Sequence, residues 1–156
     1  MDYTPEQLER RNKSVWTRVQ GVGAGVHFML FLASLFMVIR FVTTGQDYEL
    51  TTAICVAKVL MLYFMTVTGM FWEKEVYGQY FLAKGMFWED VGNIISLAGN
   101  TSYLVTLLVG AEKSVQMMAM GVALLTFLIN FTQFAVRGVR AARQRRAAQA
   151  QLSSAR

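Results

Sequence analysis

The 156-residue sequence holds one cysteine, one histidine and one proline. The lone Cys55 excludes an internal disulfide, and it lacks the companions that a Cys-rich metal site needs. With a single histidine, His27, a redox metalloenzyme is disfavoured as well. No Ser-His-Asp arrangement, phosphate-binding glycine loop or zinc-ligand spacing is present. Charge is scarce: 16% of residues are charged against 54% apolar. It is also gathered into blocks, in residues 1–18, in 73–90 and after Arg137, with long apolar stretches between. A soluble domain interleaves charge with apolar residues at helical spacing, so this pattern marks a membrane protein.

The apolar stretches predict four transmembrane helices, about Val19–Phe41, Leu50–Trp72, Val91–Gly110 and Val115–Val136. Each is near the roughly 20 residues that cross the hydrocarbon core. The fold class is therefore an all-α integral membrane protein. The first apolar run is too long for a signal core, and the start of the chain carries both charge signs, so no cleavable leader is expected. Thr4-Pro5-Glu6-Gln7 reads as a helix start, with Thr4 as cap, Pro5 at the first position and Gln7 completing a capping box. It opens an amphipathic interfacial helix over about 5–18, anchored by Trp16. The expected organisation is residues 1–18 as that interfacial segment, 19–136 as the four-helix domain and 137–156 as a basic tail.

Lys and Arg set the orientation. Residues 1–18 hold four and the tail six, while the 73–90 segment adds Lys74 and Lys84. The opposite side has Arg40 and Lys113. The positive-inside rule puts both termini and the 73–90 segment in the cytoplasm. The net charge of +5 thus reads as topology and membrane-surface contact, not as nucleic-acid binding.

Several residues stand out within this frame. The segment from Trp72-Glu73-Lys74-Glu75 to Trp88-Glu89-Asp90 places acidic pairs and aromatic rings at facing helix ends. Asp90, Asn93, Ser96 and Asn100 are spaced by three, three and four, which puts them on one helix face near Tyr103. That stripe reads either as interhelical glue or as the wall of a polar pocket. His27 is either a metal ligand or a hydrogen-bonded packing residue. Lys58 is an intramembrane cation expected to snorkel outward, away from the acidic cluster. Gly21–Gly25 contains GxxxG, expected to serve close helix packing.

The runs Tyr3-Thr4-Pro5-Glu6-Gln7, Ser14-Val15-Trp16-Thr17 and Val19-Gln20-Gly21 have counterparts in a known family. So do Thr44-Gly45, Val67-Thr68-Gly69, Trp72-Glu73-Lys74, Gly78-Gln79-Tyr80 and Trp88-Glu89-Asp90. Taken in order over about residues 3–136, they resemble the 2-vinyl (3-vinyl) bacteriochlorophyllide hydratase family. Asn100, where the family pattern has a histidine nearby, and His27 are departures.

The resemblance implies hydration of a vinyl group on a (bacterio)chlorophyllide, a 1-hydroxyethyl product and a bacterial inner or photosynthetic membrane. The implied partners are the pigment, the bilayer and a homodimer or pigment-biosynthesis complex. No cofactor is implied, since the magnesium belongs to the pigment. Water addition needs a proton on the terminal vinyl carbon and water at the inner one. Neighbouring carboxylates in an apolar setting have their pKa values pushed apart and so supply an acid and a base. Glu73 and Glu89 are the expected pair, with Asp90 and Asn93 orienting water. Trp72, Tyr80 and Trp88 pack on the ring, and Ser96 and Asn100 line the pocket. The alternative is a non-catalytic pigment-binding or assembly subunit of a photosynthetic complex, with His27 on the pigment magnesium. A small carrier using Lys58 is the third reading, and four spans without a visible inverted repeat weigh against it.

Overall fold

The computed structural model describes residues 3–154. It is all-helical there: α1 (Pro5–Lys13), α2 (Val15–Thr44), α3 (Tyr48–Tyr77), α4 (Phe87–Leu108) and α5 (Lys113–Ser154). Helices α2 to α5 are long and apolar enough to cross a membrane. Their outward faces carry Val22, Met29, Phe36, Leu60, Leu125 and other exposed apolar side chains, as a lipid solvent requires. The first, second and fourth predicted spans fall within these helices, and the third, 91–110, overruns the end of α4 at Leu108. The basic tail continues α5 without a break, and Arg156 lies outside the described residues.

The capping box at the start of α1 forms in both directions. Thr4 Oγ1 accepts from Gln7 N at 3.2 Å, and Gln7 Oε1 accepts from Thr4 N at 3.0 Å. This helix is shorter than the 5–18 span expected from sequence. It ends at Lys13 because Ser14 is extended (φ −64°, ψ 131°) and caps the next helix instead. Ser14 Oγ accepts from Trp16 N at 3.1 Å and donates to Glu75 Oε2 at 2.5 Å. Trp16 therefore belongs to α2, where it stacks on Phe71.

Two helical hairpins make the bundle. Helix α2 packs along α3, and α4 along α5, more extensively than α3 meets α4 or α2 meets α5. Gly99 explains the close approach of α4 to α5. A Cβ there would lie 2.9 Å from Thr126 Oγ1 and 3.5 Å from Ala123 Cα. The GxxxG run does not work as expected. Gly21 and Gly25 face open space, and only Gly23 between them is pressed against another helix, by Met65 and Met61 of α3.

Lys58 also departs from expectation. It is completely buried, not snorkelled. Its Nζ donates to Asn100 Oδ1 at 2.7 Å and lies 4.8 Å from the centre of the Phe127 ring. Asn100 Nδ2 in turn donates to Ser96 O at 2.7 Å. Helices α3, α4 and α5 thus meet on one polar clasp inside a core of Phe31, Val59, Tyr103 and Met120.

The N-terminal segment, the α3–α4 connection and the start of the tail gather at one end of the bundle. Tyr3 stacks on Tyr77, and Gln144 Nε2 donates to Tyr3 O at 2.9 Å.

The clasp gives a stability prediction. Asn100→Leu strands the buried Lys58 amine and costs about 1–3 kcal/mol. Lys58→Met combined with Asn100→Leu removes both partners and costs less than Asn100→Leu alone. Unfolding titrations in detergent micelles measure both, and a double variant that loses more than Asn100→Leu alone would contradict the clasp.

Candidate functional site

Stripes from the four long helices converge on one cavity of about 320 Å³ between the two hairpins. Helix α2 contributes Thr17, Gln20, Ala24 and His27, spaced by three, four and three. Helix α3 contributes Leu62, Thr66, Gly69 and Glu73, spaced by four, three and four. Helix α4 contributes Asp90 and Asn93, and α5 contributes Phe127, Asn130, Phe134 and Arg137. Each set occupies one helix face by its periodicity. At 1.5 Å per residue, the stretch from Thr17 to His27 makes the cavity roughly 15 Å deep. Tyr3 and Arg11 line it at the end of the acidic pair, and Phe127 and His27 line it at the other.

Glu73 and Asp90 are the centre of the upper part. They are 2% and 4% exposed, and their carboxyl groups lie within hydrogen-bonding reach of each other. Each is tethered by the connection that precedes α4. Ala83 N donates to Glu73 Oε1 at 2.6 Å, and Leu82 N donates to Asp90 Oδ2 at 2.8 Å. Two consecutive amides can reach two carboxyls because Leu82 takes the left-handed conformation, φ 56°. One turn deeper, Asn93 Nδ2 donates to Thr66 Oγ1 at 3.2 Å. These two polar side chains sit directly below the carboxyls, bridging α3 and α4.

The structure separates residues that the sequence groups together. It brings Glu73 to Asp90, not to Glu89. The Glu89 carboxylate turns out of the cavity wall and accepts from Arg137 Nε at 2.8 Å. Trp72 lines the cavity and donates from Nε1 to Thr17 Oγ1 at 2.9 Å. Trp88 and Tyr80, by contrast, are 71% and 52% exposed and lie outside the lining. The α4 stripe divides as well. Asp90 and Asn93 face the cavity, whereas Ser96 and Asn100 are buried below it in the Lys58 clasp. His27 reaches the floor. Among the described residues no group of three potential metal ligands converges.

Arg137 is the main residue that sequence reasoning left out, having been counted only as tail charge. Besides Glu89, it donates from Nη1 to Tyr77 Oη at 3.3 Å and from Nη2 to Gly85 O. It thereby fastens α5 to the end of α3, to the connection and to the start of α4. The α5 periodicity of Asn130, Phe134 and Arg137 carries a signal that could have found it. Gln20 and Thr66 were legible in the same way, as polar members of otherwise apolar helix faces.

The comparisons with known proteins agree with this frame. A family model described as 2-vinyl bacteriochlorophyllide hydratase matches residues 3–140. The chain is 42% identical over 132 residues to the 2-vinyl bacteriochlorophyllide hydratase of Rhodobacter capsulatus, covering 85% of this chain and 77% of that protein. It is equally similar, at 42% over 132 residues, to the protein of that name from Cereibacter sphaeroides, covering 85% and 82% of the two chains. No solved structure matches the chain.

If Arg137 fastens the mouth, Arg137→Gln loosens the α3–α4 connection. Trypsin should then cut at Lys84 several times faster in the variant than in the parent protein, followed by mass spectrometry of the fragments. Equal cleavage rates would show that the connection holds without it.

Proposed function

The chain belongs to the 2-vinyl bacteriochlorophyllide hydratase family, and from that premise we propose that it adds water to the vinyl group of a (bacterio)chlorophyllide at the Glu73–Asp90 pair. The observation that carries this reading is the pair itself: two buried carboxyls, mutually in hydrogen-bonding reach, at the top of a cavity otherwise lined largely by apolar side chains. Neighbouring carboxyls in an apolar setting do not both ionise readily, so the pair presents an acid beside a base. Those are the two groups that hydration uses.

The acid protonates the terminal vinyl carbon. The cation that forms at the inner carbon is delocalised into the macrocycle. Water held at Asn93 and Thr66 attacks that carbon, and its surplus proton passes to the carboxylate partner. The pair ends with one proton, as it began, and the product is the 1-hydroxyethyl group. The sequence involves no change of oxidation state beyond water addition, so no redox cofactor enters. Glu89 acts at one remove, by holding Arg137. The polar end of an amphiphilic pigment stays near Arg11 and the membrane surface while the flat ring enters between the hairpins.

The positive-inside rule supports a cytoplasmic mouth, since the N-terminal segment and the basic start of the tail flank it. The bacterial photosynthetic relatives support an inner membrane.

The test is a membrane assay with 3-vinyl bacteriochlorophyllide, read by chromatography and mass spectrometry for a product heavier by one water. The parent protein yields it. Glu73→Gln and Asp90→Asn each lower turnover by about 100-fold or more, with insertion intact, whereas Glu89→Gln loses less. Near-parental rates in both Glu73→Gln and Asp90→Asn would sink the assignment.

A further inference from the structure

His27 keeps an unused nitrogen at the floor of the cavity. The residue is 3% exposed, and its Nε2 has no hydrogen-bond partner among the described residues. Its ring lies 4.3 Å from that of Phe127. A buried polar atom without a partner costs roughly 1–3 kcal/mol, which a ligand that engages it removes. The surroundings describe that ligand. Leu62, Met65, Phe127 and Phe131 give the deep part of the cavity apolar, partly aromatic walls, suited to a flat ring. An imidazole nitrogen with a free lone pair is a metal ligand. A chlorin's magnesium, held in plane by pyrrole nitrogens, leaves an axial position open.

We propose that His27 is the axial ligand to the central magnesium of the bound pigment. The inference rests on the reading of the cavity as a chlorophyllide site and deepens it. Geometry along the helices is compatible with it. His27 lies ten residues beyond Thr17 on α2, roughly 15 Å below the cavity mouth. Side chains lean toward the N-terminus of their helix. His27 therefore leans up the cavity, and Glu73, on the oppositely directed α3, leans down. The two side chains thus lean toward each other along the cavity, and the ring spans the space between them with its metal over His27 and a substituted edge toward the carboxyls. His27 is on this account a positioning residue: it fixes where the ring stops, and therefore which substituent stands at Glu73 and Asp90. It also makes the site selective for metallated pigment.

The test uses the purified full chain in detergent and a probe with no vinyl group left to hydrate. This is the magnesium bacteriochlorophyllide already bearing a 1-hydroxyethyl group, compared with its metal-free form. The parent protein should bind the magnesium form at least about tenfold more tightly and shift its absorption bands as axial coordination does. His27→Ala should lose both the preference and the shift while binding the metal-free form as before. Added imidazole should restore the shift, which a misfolded variant would not allow. Retention of the magnesium preference in His27→Ala, or equal or absent binding of the two forms by the parent protein, overturns the proposal. Failure of the hydratase reading looks different: magnesium pigment is bound through His27, yet the vinyl substrate is left unchanged.

Discussion

Two carboxyl groups placed among apolar helices are the constraint on which the rest of this structure depends. Buried carboxyls need donors, and α2 to α5 offer almost none, because their own amides are consumed within the helices. The donors come from the connection between α3 and α4, which folds back so that the amides of Leu82 and Ala83 point at Asp90 and Glu73. That fold requires a left-handed residue at Leu82. It also requires an external hold, since a short connection under strain would otherwise relax. Arg137 provides the hold from α5, and Glu89 keeps Arg137 in place. The acidic pair, the unusual turn and the basic residue of the tail are thus one unit, drawn from three parts of the chain.

The cavity follows from how the hairpins pack. Small residues bring α4 against α5, and Gly23 lets α2 settle on Met61 and Met65 of α3. The seams between the hairpins are looser, and the space opens there, at the end where the acidic pair sits. The Lys58–Asn100 clasp ties the bundle together below the floor. A site that must admit a flat, rigid ligand from a lipid surface while keeping its polar groups out of bulk water is served by this division. One end is open and chemically equipped, and the other is packed and closed.

Much of the frame was legible in the sequence for simple reasons. Apolar runs of spanning length can be little else, so the four long helices and their order were readable, close at every end except that of α5, which runs on through the basic tail to Ser154. The Thr4–Gln7 capping box was equally plain. The α4 stripe showed a polar face because helical periodicity reports faces. It could not show where that face changes neighbours, and so Asp90 and Asn93 were grouped with Ser96 and Asn100, which belong to the clasp. Glu89 was paired with Glu73 for a related reason. Adjacent residues on a helix point about 100° apart, and only the partner helices decide which of Glu89 and Asp90 turns inward. The sequence makes Lys58 look like a snorkelling residue, since it lies toward one end of its helix and its partner is forty-two positions away in the chain. The role of Arg137 was hidden by the company it keeps among the other arginines of the tail.

The central claim is that Glu73 and Asp90 act as a single acid–base unit. The most direct test is a double-mutant cycle on the hydration rate, comparing Glu73→Gln, Asp90→Asn and the two combined. Residues that work as one unit are strongly non-additive. The account predicts that the double variant is no slower than the slower single variant. A double variant whose loss is the product of the two single losses would mean that the carboxyls contribute independently, and would contradict it.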